Sequence, residues 1–187
     1  MKVAITGHTK GIGKALADVF TTNGHNVVGF SKSTGFDIGD PESVLEILDF
    51  ALDCDIFINN AYVHIGQTEL LKGFINKWSG QDRLIINISS KFVFQTDTPP
   101  RFQEYVANKN EQNKIIESRM RTGLPRVMNV LPGIVDTDMS SMFQADKIDA
   151  KEIANLIYNT LQYKTIIVQQ LIIDVPMLDW KDIRFVQ

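Results

Sequence analysis

The chain has 187 residues, 44% of them hydrophobic and 22% charged, with 19 basic against 22 acidic side chains and a net charge of -3. That is enough apolar material for the core of one soluble domain over residues 1–187, and it excludes a fibre or a disordered tail. With no basic run, it also excludes the footprint of a nucleic-acid or anionic-membrane partner. Cys54 is the only cysteine, so no intramolecular disulfide can form, and its apolar surroundings from Leu52 to Phe57 make it a buried, inert thiol. The chain enters a strand at once, with neither a leader nor an apolar run of bilayer length, and the expected location is cytoplasmic.

In chain order, short apolar runs alternate with longer segments of helical period. Val3 to Thr6 reads as the first strand. Ile12, Leu16, Val19 and Phe20 recur at helical spacing, Asn23-Gly24 ends that helix, and Asn26 to Phe30 follows as a strand. Asp40 to Leu52 starts with Asp40 as N-cap and Pro41 at the first helical position. Asp55 to Asn59 is the next strand, Leu70 to Trp78 a short helix, and Arg83 to Ile88 a buried strand. Tyr105 to Thr122 reads as a long helix, Arg126 to Leu131 as a strand, Ala150 to Tyr163 as a helix and Thr165 to Val175 as the last strand. Such alternation predicts an α/β fold: a doubly wound, mostly parallel sheet with helices on both faces, in three layers. No repeat, low-complexity stretch or linker marks a second domain.

The first strand runs into Thr6-Gly7-His8-Thr9-Lys10-Gly11-Ile12-Gly13. In such a loop Gly7 permits the tight turn, Gly11 lets the backbone approach a ligand, and Gly13 allows close helix packing, with a diphosphate at the helix N-terminus. A glycine-rich turn alone says little. Here strand, loop, helix and next strand come in the order that nucleotide binding requires. Farther on, Tyr105 and Lys109 stand four positions apart, on one helix face. The ammonium of Lys109 is therefore expected to lower the pKa of the Tyr105 phenol.

These segments, with Asn59-Asn60-Ala61, Ile88-Ser89-Ser90 and Pro132-Gly133-x3-Thr137, resemble the short-chain dehydrogenase/reductase family in both motif and order. Ile148 to Ala154 also resembles a family segment, so the likeness runs from Met1 through the helix at Ala150 to Tyr163. It implies a Rossmann-type fold and NAD(P)-dependent oxidation of alcohols or reduction of carbonyls. It further implies that Tyr105 is the general acid, that Ser90 holds the carbonyl oxygen, and that Lys109 binds the nicotinamide ribose while depressing Tyr105. Moving a tyrosine from near 10 towards 7 asks for about 4 kcal/mol of differential stabilisation. Ser89 is left as a structural or pocket hydroxyl.

The implied cofactor contacts are Gly7, Thr9, Lys10, Gly11, Ile12 and Gly13 in the first loop, and Asp37-Ile38 beside the adenine. Asn60, Ala61 and Tyr62 line the adenosine path, and Pro132, Gly133, Ile134, Val135 and Thr137 lie at the nicotinamide end. An NAD-preferring site offers a carboxylate after the second strand. Phe30-Ser31-Lys32-Ser33 has none, and Ser31, Lys32 and Lys10 can receive a 2'-phosphate, so NADP(H) is expected over NAD(H).

Three features depart from the family pattern: Tyr62 replaces a glycine, the stretch from Asn60 to Ser90 is short, and Met139 to Lys147 is short for a substrate-covering loop. The second leaves no relay asparagine assigned, Asn76 being only the nearest candidate. His8, His25 and His64 lack metal-like spacing and read as loop or surface residues, His64 lying nearest the substrate side; no metal is expected. Met139 and Met142 read as pocket-wall or core residues. The expected protein is a carbonyl reductase or alcohol dehydrogenase acting on a small molecule, as a homodimer. A weakly catalytic NADP(H) sensor and an epimerase or dehydratase are the alternatives.

Overall fold

The computed structural model describes residues 1–119, 123–176 and 184–185. Six strands form one sheet: β1 (Lys2–Thr6), β2 (Asn26–Phe30), β3 (Ile56–Asn59), β4 (Leu84–Ile88), β5 (Arg126–Pro132) and β7 (Gln170–Ile173). Their spatial order is β2-β1-β3-β4-β5-β7, and every pairing is parallel. β6 (Phe143–Gln144) and β8 (Arg184–Phe185) form a separate antiparallel pair. Among the described residues no helix is long and apolar enough to cross a membrane.

Alternation along the strands explains the three layers. Val3, Ile5, Ile56, Ile58, Leu84 and Ile86 face one core, shared with Leu16 and Phe20 of α1 (Gly11–Thr22) and Ile153 and Ile157 of α5 (Ala150–Thr160). Ala4, Phe57 and Ile85 point to the opposite core. There they meet Ile47 of α2 (Pro41–Phe50), Leu70, Leu71 and Phe74 of α3 (Gly66–Lys77), and Ile116 of α4 (Gln103–Arg119). Each fully buried Leu, Ile or Phe here contributes roughly 2 kcal/mol by removal from water. Asp40 caps α2 by accepting from the backbone N–H groups of Glu42 and Ser43, with Pro41 at the first helical position.

Several expected boundaries shift. α3 begins at Gly66 rather than Leu70, because its first turn lies against the segment before α2: a Cβ at Gly66 would stand 1.8 Å from the Ile38 carbonyl oxygen. α4 starts at Gln103, before Tyr105, and ends at Arg119; the expected extension over 120–122 lies outside the described residues. β7 is shorter than expected: it pairs with β5 only from Asn129 with Gln170 to Pro132 with Ile173. The short stretch after Thr137 carries β6, a strand not foreseen in the sequence.

The chain leaves β1 for β2 on one side and later returns to β3 on the other. The carboxyl ends of β1 and β3 therefore border the crevice where an open parallel sheet binds ligands.

Candidate active site

All the motif segments emerge at this carboxyl edge, and side chains tie them together. Thr6 at the end of β1 accepts through Oγ1 from the N–H groups of Asn60 and Ala61, each at 3.0 Å. Asn60 returns a hydrogen bond from Nδ2 to the Thr6 carbonyl at 3.0 Å, which locks the loop after β3 onto the loop after β1. From the far side, the Thr137 methyl packs on Gly11, and Lys10 pairs with Asp138 at 2.9 Å.

Three features of the first loop fit the diphosphate of a dinucleotide. Gly7 has φ +70, where a side chain would be strained. A Cβ on Gly13 would lie 2.2 Å from the Gly7 carbonyl oxygen, so only glycine lets α1 start this close to β1. The N-terminus of α1 has neither a side-chain cap nor an acidic residue in its first turn, leaving its N–H groups to an anion.

Around the adenosine end the structure corrects the charge argument. Lys32 does not stand alone after β2: its ammonium lies 2.8 Å from Asp37, whose carboxyl that contact and the Gly39 N–H hold below the usual range. The expected adenine-side residue Asp37 is thus also a carboxylate paired with Lys32, because the turn Lys32–Thr34 folds the chain back and brings residue 37 beside residue 32. Lys10 is likewise turned towards Asp138 rather than towards Ser31. What does gather there is hydroxyls: Ser31 Oγ lies 3.0 Å from Ser33 Oγ and 3.2 Å from Thr34 Oγ1, and Ser33 Oγ donates to Thr9 Oγ1 at 3.4 Å.

Three other expected contacts are core residues. Ile38 packs with Phe30 and Val44, while the Ile134 and Val135 side chains are buried and Val135 bridges to Ile148. Pro132 ends β5, and Gly133 lies under Asp174, which pairs with Lys91 next to Ser90.

Ser90, Tyr105 and Lys109 meet where β4 ends beneath α4. The buried Ser90 hydroxyl lies near Tyr105 and accepts from the Phe92 N–H at 3.1 Å, whereas Ser89 donates to Asn113 at 2.9 Å. Lys109 is 2% exposed; its ammonium donates to Gln67 Oε1 at 2.6 Å and to the Ile88 carbonyl at 2.7 Å. Neither acceptor is charged, so burial pulls the lysine down to about 7. The expected depression of Tyr105 is not found. Burial, with Tyr62 adding to it, raises its pKa against the opposing Ser90 hydrogen bond.

Gln67 and Gln112 were missed in the sequence. Fully buried, they join a network in which Gln112 donates to Gln67 and Thr68, while Asn87 donates to Gln112 and Asn129. The signal was there: extending α3 back one turn puts Gln67 on the face of Leu70, Leu71 and Phe74, at positions i, i+3, i+4 and i+7. Asn76, which lies on α3, is not among the hydrogen-bond partners of the Lys109 ammonium, Gln67 and Ile88.

Of the histidines, His8 packs its ring on Gly29 and His25 lies 3.2 Å from the Tyr158 hydroxyl. His64 sits at the rim, 2.7 Å from Glu104. Met139 and Met142 are exposed rather than core, and burial raises the Cys54 thiol. No group of three or more His, Cys, Asp or Glu among the described residues is placed to hold a metal.

No protein-family model matches the sequence, and no curated protein matches it. Solved structures do match in fold. A short-chain dehydrogenase from Burkholderia cenocepacia in complex with NADP has TM-score 0.74 at 20% identity, over 91% of this chain and 86% of that one. A 3-ketoacyl-(acyl-carrier-protein) reductase from Brucella melitensis, complexed with NADH, has TM-score 0.76 at 18% identity, covering 93% and 96%. A 3-alpha-hydroxysteroid dehydrogenase from a Pseudomonas species, also with NADH, has TM-score 0.72 at 19% identity, covering 93% and 95%. The fold is that of short-chain dehydrogenase/reductase structures.

Proposed function

We propose that the protein is an NAD(P)-dependent oxidoreductase of the short-chain dehydrogenase/reductase type that interconverts a carbonyl and an alcohol on a small molecule. The observation that carries this reading is the meeting of Ser90, Tyr105 and Lys109 at the carboxyl edge of the sheet, on the same side as the glycine loop. Structural relatives that hold NADP or NADH support it.

Bound in the crevice, the nicotinamide supplies the hydride. In this reading the carbonyl oxygen accepts from the hydroxyls of both Ser90 and Tyr105. A tyrosine whose pKa is raised by burial stays protonated at neutral pH and so stands ready as the acid of the reductive direction. Lys109 has a third proton beyond those given to Gln67 and Ile88, free for the ribose hydroxyls. With its pKa near 7 it can release and regain a proton at neutral pH, restoring Tyr105 between turnovers.

NADP(H) is the favoured cofactor on the hydroxyl cluster of Ser31, Ser33, Thr34 and Thr9. A 2'-phosphate there can draw Lys32 away from Asp37. A cytoplasmic homodimer remains the proposed setting.

One observation favours a second reading, an NADP(H)-binding protein with little turnover. Lys109 is enclosed by Gln67 and by the Tyr62 ring, which is bulky where the family pattern has glycine. NADPH consumption against a panel of ketones, aldehydes, quinones and thioester-linked ketones separates the two. Turnover in wild type that is lost in Tyr105→Phe supports the reductase, and tight NADPH binding without turnover on any of them supports the second reading.

A further inference from the structure

Tyr62 stands at the centre of the site by geometry. Its ring meets that of Tyr105 edge-on, with centroids 4.8 Å apart and planes at 79°. The Lys109 ammonium lies 5.4 Å from the Tyr62 centroid and 5.5 Å from the Tyr105 centroid, within cation–π range of both.

The ring is braced from two elements. Asn108, next to Lys109 on α4, donates from Nδ2 to the Tyr62 hydroxyl at 3.2 Å and to the His64 carbonyl at 3.1 Å. His64 takes a left-handed backbone, φ +43, which a non-glycine residue holds only when its surroundings enforce it. Its ring lies 2.7 Å from Glu104, the residue before Tyr105. The turn from Tyr62 to His64 is thereby fastened at two points to the start of α4.

We infer that Tyr62 is a positioning residue for the Tyr105–Lys109 pair: its edge-to-face contact fixes the Tyr105 ring, and its own ring face helps keep the Lys109 ammonium charged. This rests on the reading of those two residues as the proton-handling groups. The groups facing the ammonium are Gln67 from α3, the Ile88 carbonyl from β4, Tyr105 from its own helix, and Tyr62. None is a carboxylate, and the titratable pair His64 and Glu104 is solvent-exposed at the rim. Against a burial that pulls the lysine down to about 7, the two neutral acceptors and the two ring faces are what favour its charged form.

The test is a titration of Lys109 by NMR on the whole protein carrying labelled lysine, without added cofactor, in wild type, Tyr62→Phe and Tyr62→Leu. Tyr62→Phe keeps the ring face and should titrate as wild type. Tyr62→Leu loses the face, and its Lys109 pKa should fall by about one unit, with the alkaline limb of the turnover profile moving down by the same amount. Should the leucine variant not fold, pentafluorophenylalanine at position 62 keeps the ring shape and removes its negative face, and the same fall is expected. A Lys109 titration unmoved by loss of the face overturns the inference. A fall in a protein that turns over no carbonyl sustains Tyr62's hold on Lys109 and removes the reductase reading instead.

Discussion

Lys109 Nζ and Gln67 Oε1 lie 2.6 Å apart inside the protein, so an ammonium is held by a neutral amide where a carboxylate would have been the stronger partner. The bond joins the helix that carries the proposed catalytic groups, α4, to the first turn of α3. An acceptor of this kind contributes about 2 to 3 kcal/mol when its donor is charged.

Replacing Gln67 by Leu strands that charge. Urea denaturation should show a loss of about 2 to 3 kcal/mol at pH 6, where Lys109 is protonated, and a smaller loss at pH 9. Gln67→Glu should act in the opposite sense on the lysine, raising its pKa by giving it a carboxylate.

Lys109 also leaves a signature in the pH dependence of stability. Its folded pKa, about 7, lies below the value near 10.4 of an unfolded lysine. Between those values the unfolded chain binds more protons, so this residue makes stability rise with pH, by at most about 1.4 kcal/mol per unit. Lys109→Met should flatten that rise. Urea midpoints of the two proteins from pH 6 to 10 check it: the wild type should gain on the variant as pH increases, and parallel curves would show that Lys109 is not depressed.

Gly13→Ala should remove cofactor binding and destabilise the fold by about 1 to 3 kcal/mol. The added Cβ would meet the Gly7 carbonyl oxygen at 2.2 Å and Asn60 Nδ2 at 2.5 Å. Alanine at Gly80, where a Cβ meets nothing, should cost only the backbone strain of its φ of +76. Thermal unfolding and NADPH fluorescence titration distinguish the two.

The pairing of Lys32 with Asp37 predicts a reciprocal effect on cofactor choice. Lys32→Ala should weaken NADPH relative to NADH by about tenfold, and Asp37→Asn, which frees the lysine, should strengthen NADPH. Equal changes in both dissociation constants would mean that neither residue faces the 2'-phosphate.

How much of this was legible in the sequence depended on the type of signal. Glycine punctuation and apolar runs exposed the parallel sheet and the loop after β1, because backbone freedom and burial leave periodic marks. The inward face of α4 carries the buried polar residues Asn108, Lys109 and Gln112 beside half-buried Tyr105, with no hydrophobic period among them to betray burial. Their solvation is replaced by partners from α3, β4 and the loop after β3, and such long-range matching cannot be read locally. The same limit hid the pairing of Asp37 with Lys32, which a single turn brings about, and produced the expectation that Lys109 would depress Tyr105. That expectation counted charge and omitted burial, which is the leading cause of the shift at both residues.

The central claim, hydride transfer with proton delivery from Tyr105, is tested most directly by following deuterium from the nicotinamide C4 of labelled NADPH into a carbonyl substrate that wild type turns over. One deuterium should appear on the carbinol carbon with wild type, and almost none in the same time with Tyr105→Phe. Label retained on the cofactor against every carbonyl tried, or transfer undiminished by Tyr105→Phe, would contradict the account.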